Sequence, residues 1–120
     1  MKVLVVDDSM VMRKIIIHAL ESMDVKGADI GQAKDGTEGI NLALNGNYDV
    51  ILMDWNMPET TGIEAVRAIR KAGNKTPIIM VTTEGEKESV IEAIQAGANN
   101  YLVKPFESSA LIEKINSLFQ

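Results

Sequence analysis

Five residues that follow directly after short apolar runs have side chains suited to phosphoryl transfer. Asp7 and Asp8 come after the first run, Asp54 after another, Thr82 after the next and Lys104 after the last. A carboxylate can act as the nucleophile that accepts a phosphoryl group, which gives an aspartyl phosphate. An ammonium and a hydroxyl can bind the phosphoryl oxygens. If the runs are neighbouring strands, Asp54 is the candidate acceptor and Thr82 and Lys104 are the candidate oxygen-binding groups.

The same arrangement indicates a metal ion. Three carboxylates in one cleft repel one another and need a compensating positive charge. The cluster offers oxygen ligands without His or Cys, which suits a hard cation, and Mg²⁺ fits a small open site because it takes few protein ligands and keeps several waters. We therefore predict Mg²⁺ as the cofactor, with Asp7 and Asp8 as metal ligands.

The elements that must position these residues are indicated by apolar patterning. Four runs lack polar alternation, which is typical of strands buried on both faces of a parallel sheet: Val3–Val6, Val50–Met53, Ile78–Val81 and Tyr101–Val103. The stretch from Lys26 to Ala33 gives a weaker signal because Gly27 and Gly31 dilute the apolar character around Ile30. We predict an edge strand there.

Segments with helical spacing lie between the strands, and each is predicted to have one apolar face. The residues on these faces are Met12, Ile16, Ala19, Leu20 and Met23; Ile40, Ala43 and Leu44; Ile63, Val66 and Ile69; Val90, Ile91 and Ile94; and Leu111, Ile115 and Leu118. Ser9 and Thr61 are expected to cap helix starts, and Gly97 to follow a helix end in a left-handed conformation.

Strands that alternate with helices predict an α/β fold. Right-handed crossovers place the helices on both faces of a parallel sheet, giving a doubly wound (βα)5 domain. Ligands of such open sheets bind beyond the carboxyl ends of the strands. The residues that follow the strands are therefore expected to form the site.

Composition narrows the function classes. The 120 residues are 46% hydrophobic and fit a single domain over residues 1–120. The net charge is −5 and no cluster of Lys and Arg is present, which argues against nucleic-acid binding. Cysteine is absent, as is an apolar run of the roughly 20 residues that span a membrane. We expect a cytoplasmic monomer that binds neither nucleic acid nor membrane.

The motifs at the strand ends resemble those of the two-component response-regulator receivers. They are Val6-Asp7-Asp8, Asp54-Trp55-Asn56-Met57-Pro58, Thr82-Thr83-Glu84 and Asn100-Tyr101-Leu102-Val103-Lys104-Pro105-Phe106. The match covers essentially the whole chain in the right order, and within the family it is most similar to the CheY-type chemotaxis regulators. The resemblance implies a single receiver domain without an output domain and the flavodoxin-like strand order 2-1-3-4-5 known for this family.

The resemblance also implies roles for individual residues. Asp54 would accept the phosphoryl group from a sensor histidine kinase. Mg²⁺ would be bound by Asp7 or Asp8, by Asp54 and by the backbone carbonyl of Asn56. Such a protein catalyses its own phosphorylation and dephosphorylation but does not turn over an external substrate.

Further implied features concern the change that follows phosphorylation. Thr82 and Lys104 would contact the phosphoryl group, and the Lys104–Pro105 peptide would be cis, which an X-Pro bond can adopt at modest cost. Tyr101 would be a rotameric switch on the face formed by the fourth helix, fifth strand and fifth helix.

On that face, Lys87, Tyr101 and Lys114 are the side chains expected to contact a partner. Asn56 and Glu84 occupy positions that tune how fast the aspartyl phosphate is hydrolysed in the family.

The expected function is a phosphorylation-activated switch whose partner is the flagellar motor switch protein, with a dedicated phosphatase as a further possible partner. One alternative is a phosphorelay intermediate that passes its phosphoryl group to a histidine phosphotransfer protein. Another is a phosphatase of the haloacid dehalogenase type, although those have a second Asp where this chain has Asn56. A third is a binding module that works without phosphorylation.

Overall fold

Five strands alternate with five α-helices in the computed structural model, which describes residues 1–83 and 87–119. The strands are β1 (Val3–Val6), β2 (Ile30–Ala33), β3 (Val50–Asp54), β4 (Ile78–Thr82) and β5 (Asn100–Val103). The helices are α1 (Met10–Ser22), α2 (Gly36–Asn45), α3 (Gly62–Lys71), α4 (Lys87–Ala96) and α5 (Ser108–Ser117). The (βα)5 prediction is confirmed.

The strands form one parallel sheet in the order β2-β1-β3-β4-β5, as predicted. In register, Val6 of β1 pairs with Met53 of β3, and Asp54 pairs with Val81 of β4. The carboxyl ends of the three central strands therefore lie side by side at one edge of the sheet.

Every residue of β1, β3 and β4 is buried, which is the physical reason for their uninterrupted apolar patterns. One core cluster packs side chains of these strands against α1 and α5, through residues such as Ile16 and Leu111. A second cluster packs the opposite face against α2, α3 and α4, through residues such as Ala43 and Val66. Helices therefore cover both faces of the sheet.

The predicted edge strand is confirmed in a shorter form. A 3-10 turn occupies Gly27–Asp29, and β2 begins only at Ile30. β2 lies at the edge of the sheet, and within the described part of the chain it pairs only with β1. Because Gln32 of this strand is exposed, β2 lacks the continuous apolar run of the central strands.

The predicted helix boundaries are confirmed at three positions. The Ser9 hydroxyl accepts a hydrogen bond from the backbone N–H of Met12 at 3.2 Å. Thr61 and Glu64 form a reciprocal capping box at the start of α3, which satisfies two backbone donors there. Gly97 follows α4 with φ +118°, a left-handed conformation that favours glycine.

Two predicted apolar faces are wrong in part. Ile91 and Ile94 of α4 are 44% and 47% exposed, whereas Ala93 is fully buried. The helix therefore packs through its small residue, which allows close approach, and turns the two larger side chains toward solvent. Leu44 of α2 is also exposed, while its neighbour Ala43 is buried. Helical spacing identified these helices but not the rotation of each about its axis.

None of the helices in residues 1–83 and 87–119 has the length and apolar character needed to cross a bilayer.

Candidate active site

The sheet brings four of the predicted site residues to one edge. Asp7 follows β1, Asp54 is the last residue of β3, and Thr82 is the last residue of β4. Lys104 follows β5, and its backbone N–H donates to the carbonyl of Thr82 at 2.7 Å. Parallel strands end on the same side of a sheet, so the order of the strands determines which of these side chains can meet.

Three carboxylates form a cluster at this edge. Asp7, Asp8 and Asp54 each offer an oxygen within 4.8 Å of the others. Asp7 and Asp54 are buried, at 1% and 4% relative exposure, and Asp8 is exposed. The cluster therefore has two carboxylates set in the protein and one at the opening to solvent.

Lys104 joins the two buried carboxylates. Its Nζ donates to Asp7 Oδ2 at 3.2 Å and to Asp54 Oδ1 at 3.1 Å. The lysine side chain is only 15% exposed, so both ion pairs are shielded from water. This ammonium offsets part of the repulsion between the carboxylates.

The charges and burial shift the pKa values at the site. Burial raises the pKa of Asp54, and repulsion from Asp7 adds to this effect. The hydrogen bond and charge of Lys104 lower the pKa, repulsion from Asp8 also raises it, and the resulting pKa is about 6. Burial lowers the pKa of Lys104, but its hydrogen bonds to and attraction by Asp54 and Asp7 outweigh this and raise it overall. Asp54 is therefore ionised near neutral pH but close to its titration range.

Asp7 is held through its backbone as well as its side chain. Its N–H donates to the carbonyl of Ala33 on β2 at 3.0 Å, and its carbonyl accepts from Arg13 Nη1 at 2.6 Å. Its Oδ1 accepts from the backbone N–H of Ser9 at 2.9 Å. The first carboxylate of the cluster is thus fixed by contacts from β2 and from the start of α1.

The donor set fits a hard divalent cation. All three carboxylates present oxygen atoms, and burial together with mutual repulsion leaves Asp54 with a raised pKa. A divalent ion would relieve the repulsion and favour the ionised carboxylates. Lys104 supplies one positive charge against three carboxylates, so the local charge favours a further cation.

The remaining predicted residues lie around this cluster. Thr82 is buried at 1% exposure. Asn56 is exposed, and its Nδ2 donates to Thr83 Oγ1 at 3.5 Å. Trp55 is half-buried beside Asp54, and its backbone N–H donates to the carbonyl of Val81 at 3.2 Å. The Lys104–Pro105 peptide is cis, as expected.

Two of the three residues predicted for the partner face, Tyr101 and Lys114, lie on β5 and α5. Tyr101 is half-buried, and Lys114 Nζ lies 5.1 Å from the centre of its ring and 3.4 Å from Asn100 Oδ1. Both side chains line a shallow open depression of about 500 Å³ that also includes Phe106. Lys87 is the first residue of α4, and Glu84 lies outside the described residues.

Arg13 was not predicted as a site residue. Its guanidinium contacts the backbone of the acidic cluster and also links α1 to β2, because Nε donates to Gln32 Oε1 at 3.1 Å. The sequence shows an arginine one helical turn after the Ser9 cap. That spacing alone does not distinguish it from an ordinary surface arginine.

The chain matches known proteins over nearly its whole length. A family model described as the response regulator receiver domain matches residues 3–116. The chemotaxis protein CheY of Pseudomonas aeruginosa is 43% identical over 122 residues, which cover 100% of this chain and 97% of that protein. A CheY homolog of Campylobacter jejuni is 46% identical over 121 residues, covering 98% and 92%.

A solved structure agrees with these matches. A chain in the CheX–CheY–BeF3–Mg complex from Borrelia burgdorferi superposes with a TM-score of 0.93 at 27% identity, covering 99% of this chain and 89% of that one.

Proposed function

This chain belongs to the response regulator receiver domain family, and from that premise we propose that it is a chemotaxis switch activated by phosphorylation of Asp54. The observation that carries the proposal is the pair of contacts by which Lys104 joins the buried carboxylates of Asp7 and Asp54. A solvated group of surface acids would not have a shielded lysine between two of its members. The names of its relatives support a role in chemotaxis.

The proposed reaction is transfer of a phosphoryl group from a phosphohistidine of a sensor histidine kinase. An Asp54 carboxylate oxygen forms the new bond to phosphorus. The bond between phosphorus and the imidazole nitrogen breaks, and its electron pair leaves with that nitrogen. Because the pKa of Asp54 is raised to about 6, the carboxylate is still mainly ionised and able to attack at neutral pH.

The residues that would hold Mg²⁺ are Asp7, Asp8 and Asp54, together with the backbone carbonyl of Asn56. When bound, the ion would neutralise charge on the phosphoryl oxygens. Asp8 is the exposed member of the cluster. The Borrelia complex, which is named with Mg alongside BeF3, supports this choice of metal.

Lys104 and Thr82 would bind the oxygens of the transferred group. The Lys104 ammonium lies 3.1 Å from Asp54 Oδ1. It would therefore be close enough to bind the oxygens of a phosphoryl group attached to this carboxylate. Thr82 stands at the end of β4, the strand paired with β3. A hydroxyl at this position can contribute a hydrogen bond to a group on Asp54.

The proposed output is a change of the face that carries Tyr101 and Lys114. Phosphorylation adds charge and acceptor oxygens, which shifts the population between two packings of the same residues. The partner proposed for this face is the flagellar motor switch protein. The Borrelia structure, a complex of CheX with CheY, supports a protein as the partner.

A test of the acceptor uses Mg²⁺ and acetyl phosphate as a small phosphodonor. We expect a labile mass gain of one phosphoryl group and a change of Trp55 fluorescence, because Trp55 adjoins Asp54. Both should be absent in Asp54→Asn. Asp49→Asn is the matched control, since Asp49 is exposed and accepts from the N–H of Lys2 at the opposite end of the sheet. Equal mass gain in Asp54→Asn would show that another residue is the acceptor.

A second experiment separates the motor switch from the phosphorelay alternative. The phosphorylated chain is mixed with a motor switch peptide and, separately, with a histidine phosphotransfer protein. Tighter peptide binding after phosphorylation would support the motor switch. Rapid transfer to histidine without peptide binding would favour the relay.

A further inference from the structure

Arg13 lies beside the acidic cluster, on the side of the edge strand β2. It is half-buried on the first turns of α1, and its Nη1 donates to the backbone carbonyl of Asp7 at 2.6 Å. Its Nε donates to Gln32 Oε1 on β2 at 3.1 Å. The guanidinium therefore joins α1, the edge strand and the peptide group between Asp7 and Asp8.

The contact to that carbonyl has a consequence for Asp8. The peptide unit from the Asp7 Cα to the Asp8 Cα is planar, so a donor that fixes the Asp7 oxygen also fixes the plane to which Asp8 is attached. The exposed Asp8 side chain accepts no hydrogen bond from residues 1–83 or 87–119 that would hold it otherwise. Among the described residues, the constraint on Asp8 therefore comes through its backbone, which sets the point from which its side chain extends.

Both donors of Arg13 matter for this geometry. A guanidinium is a planar fork whose nitrogen atoms can point to two acceptors in different directions. A lysine at this position keeps the charge, but its single ammonium cannot reproduce the two separate hydrogen bonds that Arg13 donates to Gln32 and to the Asp7 carbonyl. The hydrogen bond to Gln32 orients the guanidinium so that Nη1 points to the Asp7 carbonyl.

We infer that Arg13 is a positioning residue that orients the Asp8 carboxylate for Mg²⁺ and so prepares the cluster for phosphoryl transfer. The inference rests on the proposed function, because it takes Asp8 as a metal ligand. Residues that orient metal ligands typically change metal affinity by about 10-fold to 100-fold when they are removed.

Because Arg13 is positively charged, a positioning role and a purely electrostatic role predict opposite changes in Mg²⁺ affinity. Removal of a positive charge beside three carboxylates would by itself strengthen the attraction for Mg²⁺. A positioning role predicts the opposite result, a weaker affinity in spite of the more negative cluster. The sign of the change therefore separates positioning from simple electrostatics.

The experiment measures Mg²⁺ affinity by Trp55 fluorescence without a phosphodonor, and then phosphorylation by acetyl phosphate at saturating Mg²⁺. We expect Arg13→Gln and Arg13→Lys both to weaken Mg²⁺ binding by about 10-fold. Gln32→Met, which leaves the charge in place, should weaken it by a smaller factor. At saturating Mg²⁺ the phosphorylation rates should approach that of the wild type. Lys14→Gln, an exposed neighbour on α1, is the matched control for loss of charge.

Several results would overturn the inference. Wild-type affinity in Arg13→Lys would show that only the charge matters, and tighter binding in Arg13→Gln would show a purely electrostatic effect. If Mg²⁺ binds the wild type but no phosphoryl group is gained, the proposed function fails while the affinity measurements still decide the role of Arg13. Absence of Mg²⁺ binding by the wild type would overturn the inference together with the metal assignment.

Discussion

Lys104 Nζ lies between two buried carboxylates that are distant in sequence, 3.2 Å from Asp7 Oδ2 and 3.1 Å from Asp54 Oδ1. The lysine supplies one positive charge where the ends of β1, β3 and β5 converge. A buried ion pair adds little to stability over an apolar substitute, but removal of one partner leaves an uncompensated charge. The stability of the site therefore depends on the balance among these groups.

Lys104→Met should change both the unfolding free energy and its dependence on Mg²⁺. We expect the metal-free variant to lose about 3 kcal/mol of unfolding free energy, because both carboxylates lose their partner. Mg²⁺ should stabilise the variant more than the wild type, since the ion supplies positive charge at the same place. Urea unfolding with and without Mg²⁺ measures both effects, with the exposed Lys71→Met as the control. Equal stabilisation of the two proteins by Mg²⁺ would contradict this prediction.

The raised pKa of Asp54 predicts a pH-dependent stability. The pKa of the Asp54 carboxyl is about 6 in the folded protein, compared with 3.8 for an ordinary aspartate carboxyl. Between these values the folded state binds more protons than the unfolded state, so stability falls as the pH rises from about 4 to about 6 and the loss persists above that range. At 1.36 kcal/mol per pH unit, the loss is on the order of 3 kcal/mol.

Asp54→Asn removes this titration. Without metal, the unfolding free energy of the variant minus that of the wild type should be small at pH 4 and should grow by on the order of 3 kcal/mol toward pH 7. Urea unfolding across this pH range is the measurement. Mg²⁺ should reduce the difference at pH 7, because it favours the ionised carboxylate. A difference in unfolding free energy that does not change with pH would refute the raised pKa of Asp54.

Gly62 is predicted to be essential for the approach of α3 to the end of β3. A Cβ on Gly62 would lie 2.9 Å from Met80 Cε and 2.9 Å from Trp55 Cα, and still closer to the carbonyl of Asp54. Gly62→Ala should therefore cost about 2 kcal/mol in urea unfolding, as expected for an overpacked site. Gly27→Ala is the control, because a Cβ there meets no atom of residues 1–83 or 87–119 within 4 Å. Similar stabilities of the two variants would disprove the steric argument.

Arg70 joins the two loops at the opposite end of the sheet. Its guanidinium donates to the carbonyls of Gly97, Asn74 and Thr76 and to Asn99 Oδ1, at 3.0, 3.0, 2.7 and 2.9 Å. Burial lowers the pKa of this arginine, so the partly desolvated charge depends on these acceptors.

Arg70→Met should reduce the unfolding free energy by about 3 kcal/mol, because the acceptors lose charge-assisted hydrogen bonds. Hydrogen exchange of the Ile78 amide, which donates to Asn99 Oδ1 at 2.9 Å, should also become faster. The control on the same helix is Arg67→Met, because its exposed pair with Glu92 at 3.9 Å should matter little. Unchanged stability in Arg70→Met would mean that water replaces the lost contacts.

The strands and the strand-end residues could be predicted because their signals are local. β1, β3 and β4 are buried on both faces, so nearly every residue in them must be apolar whatever packs against them. β2 was harder to recognise because an edge strand with an exposed Gln32 tolerates polar residues.

The faces of α4 and α2 were predicted less well. Ile91 and Ile94 have helical spacing, yet they are exposed while Ala93 packs against the sheet. Periodicity reports that a helix is amphipathic. It does not report whether a small residue or a large one is turned toward the neighbouring strand.

The order of the elements, the parallel sheet and the residues at its carboxyl edge could be predicted from the sequence, because they follow from apolar runs and caps within a few positions of one another. The position of Lys104 between Asp7 and Asp54, and the contact of Arg13 with the backbone carbonyl of Asp7, follow from the tertiary structure alone. Such contacts join residues on different elements. They depend on strand order and helix rotation, which are set by the packing of the whole core rather than by any local pattern.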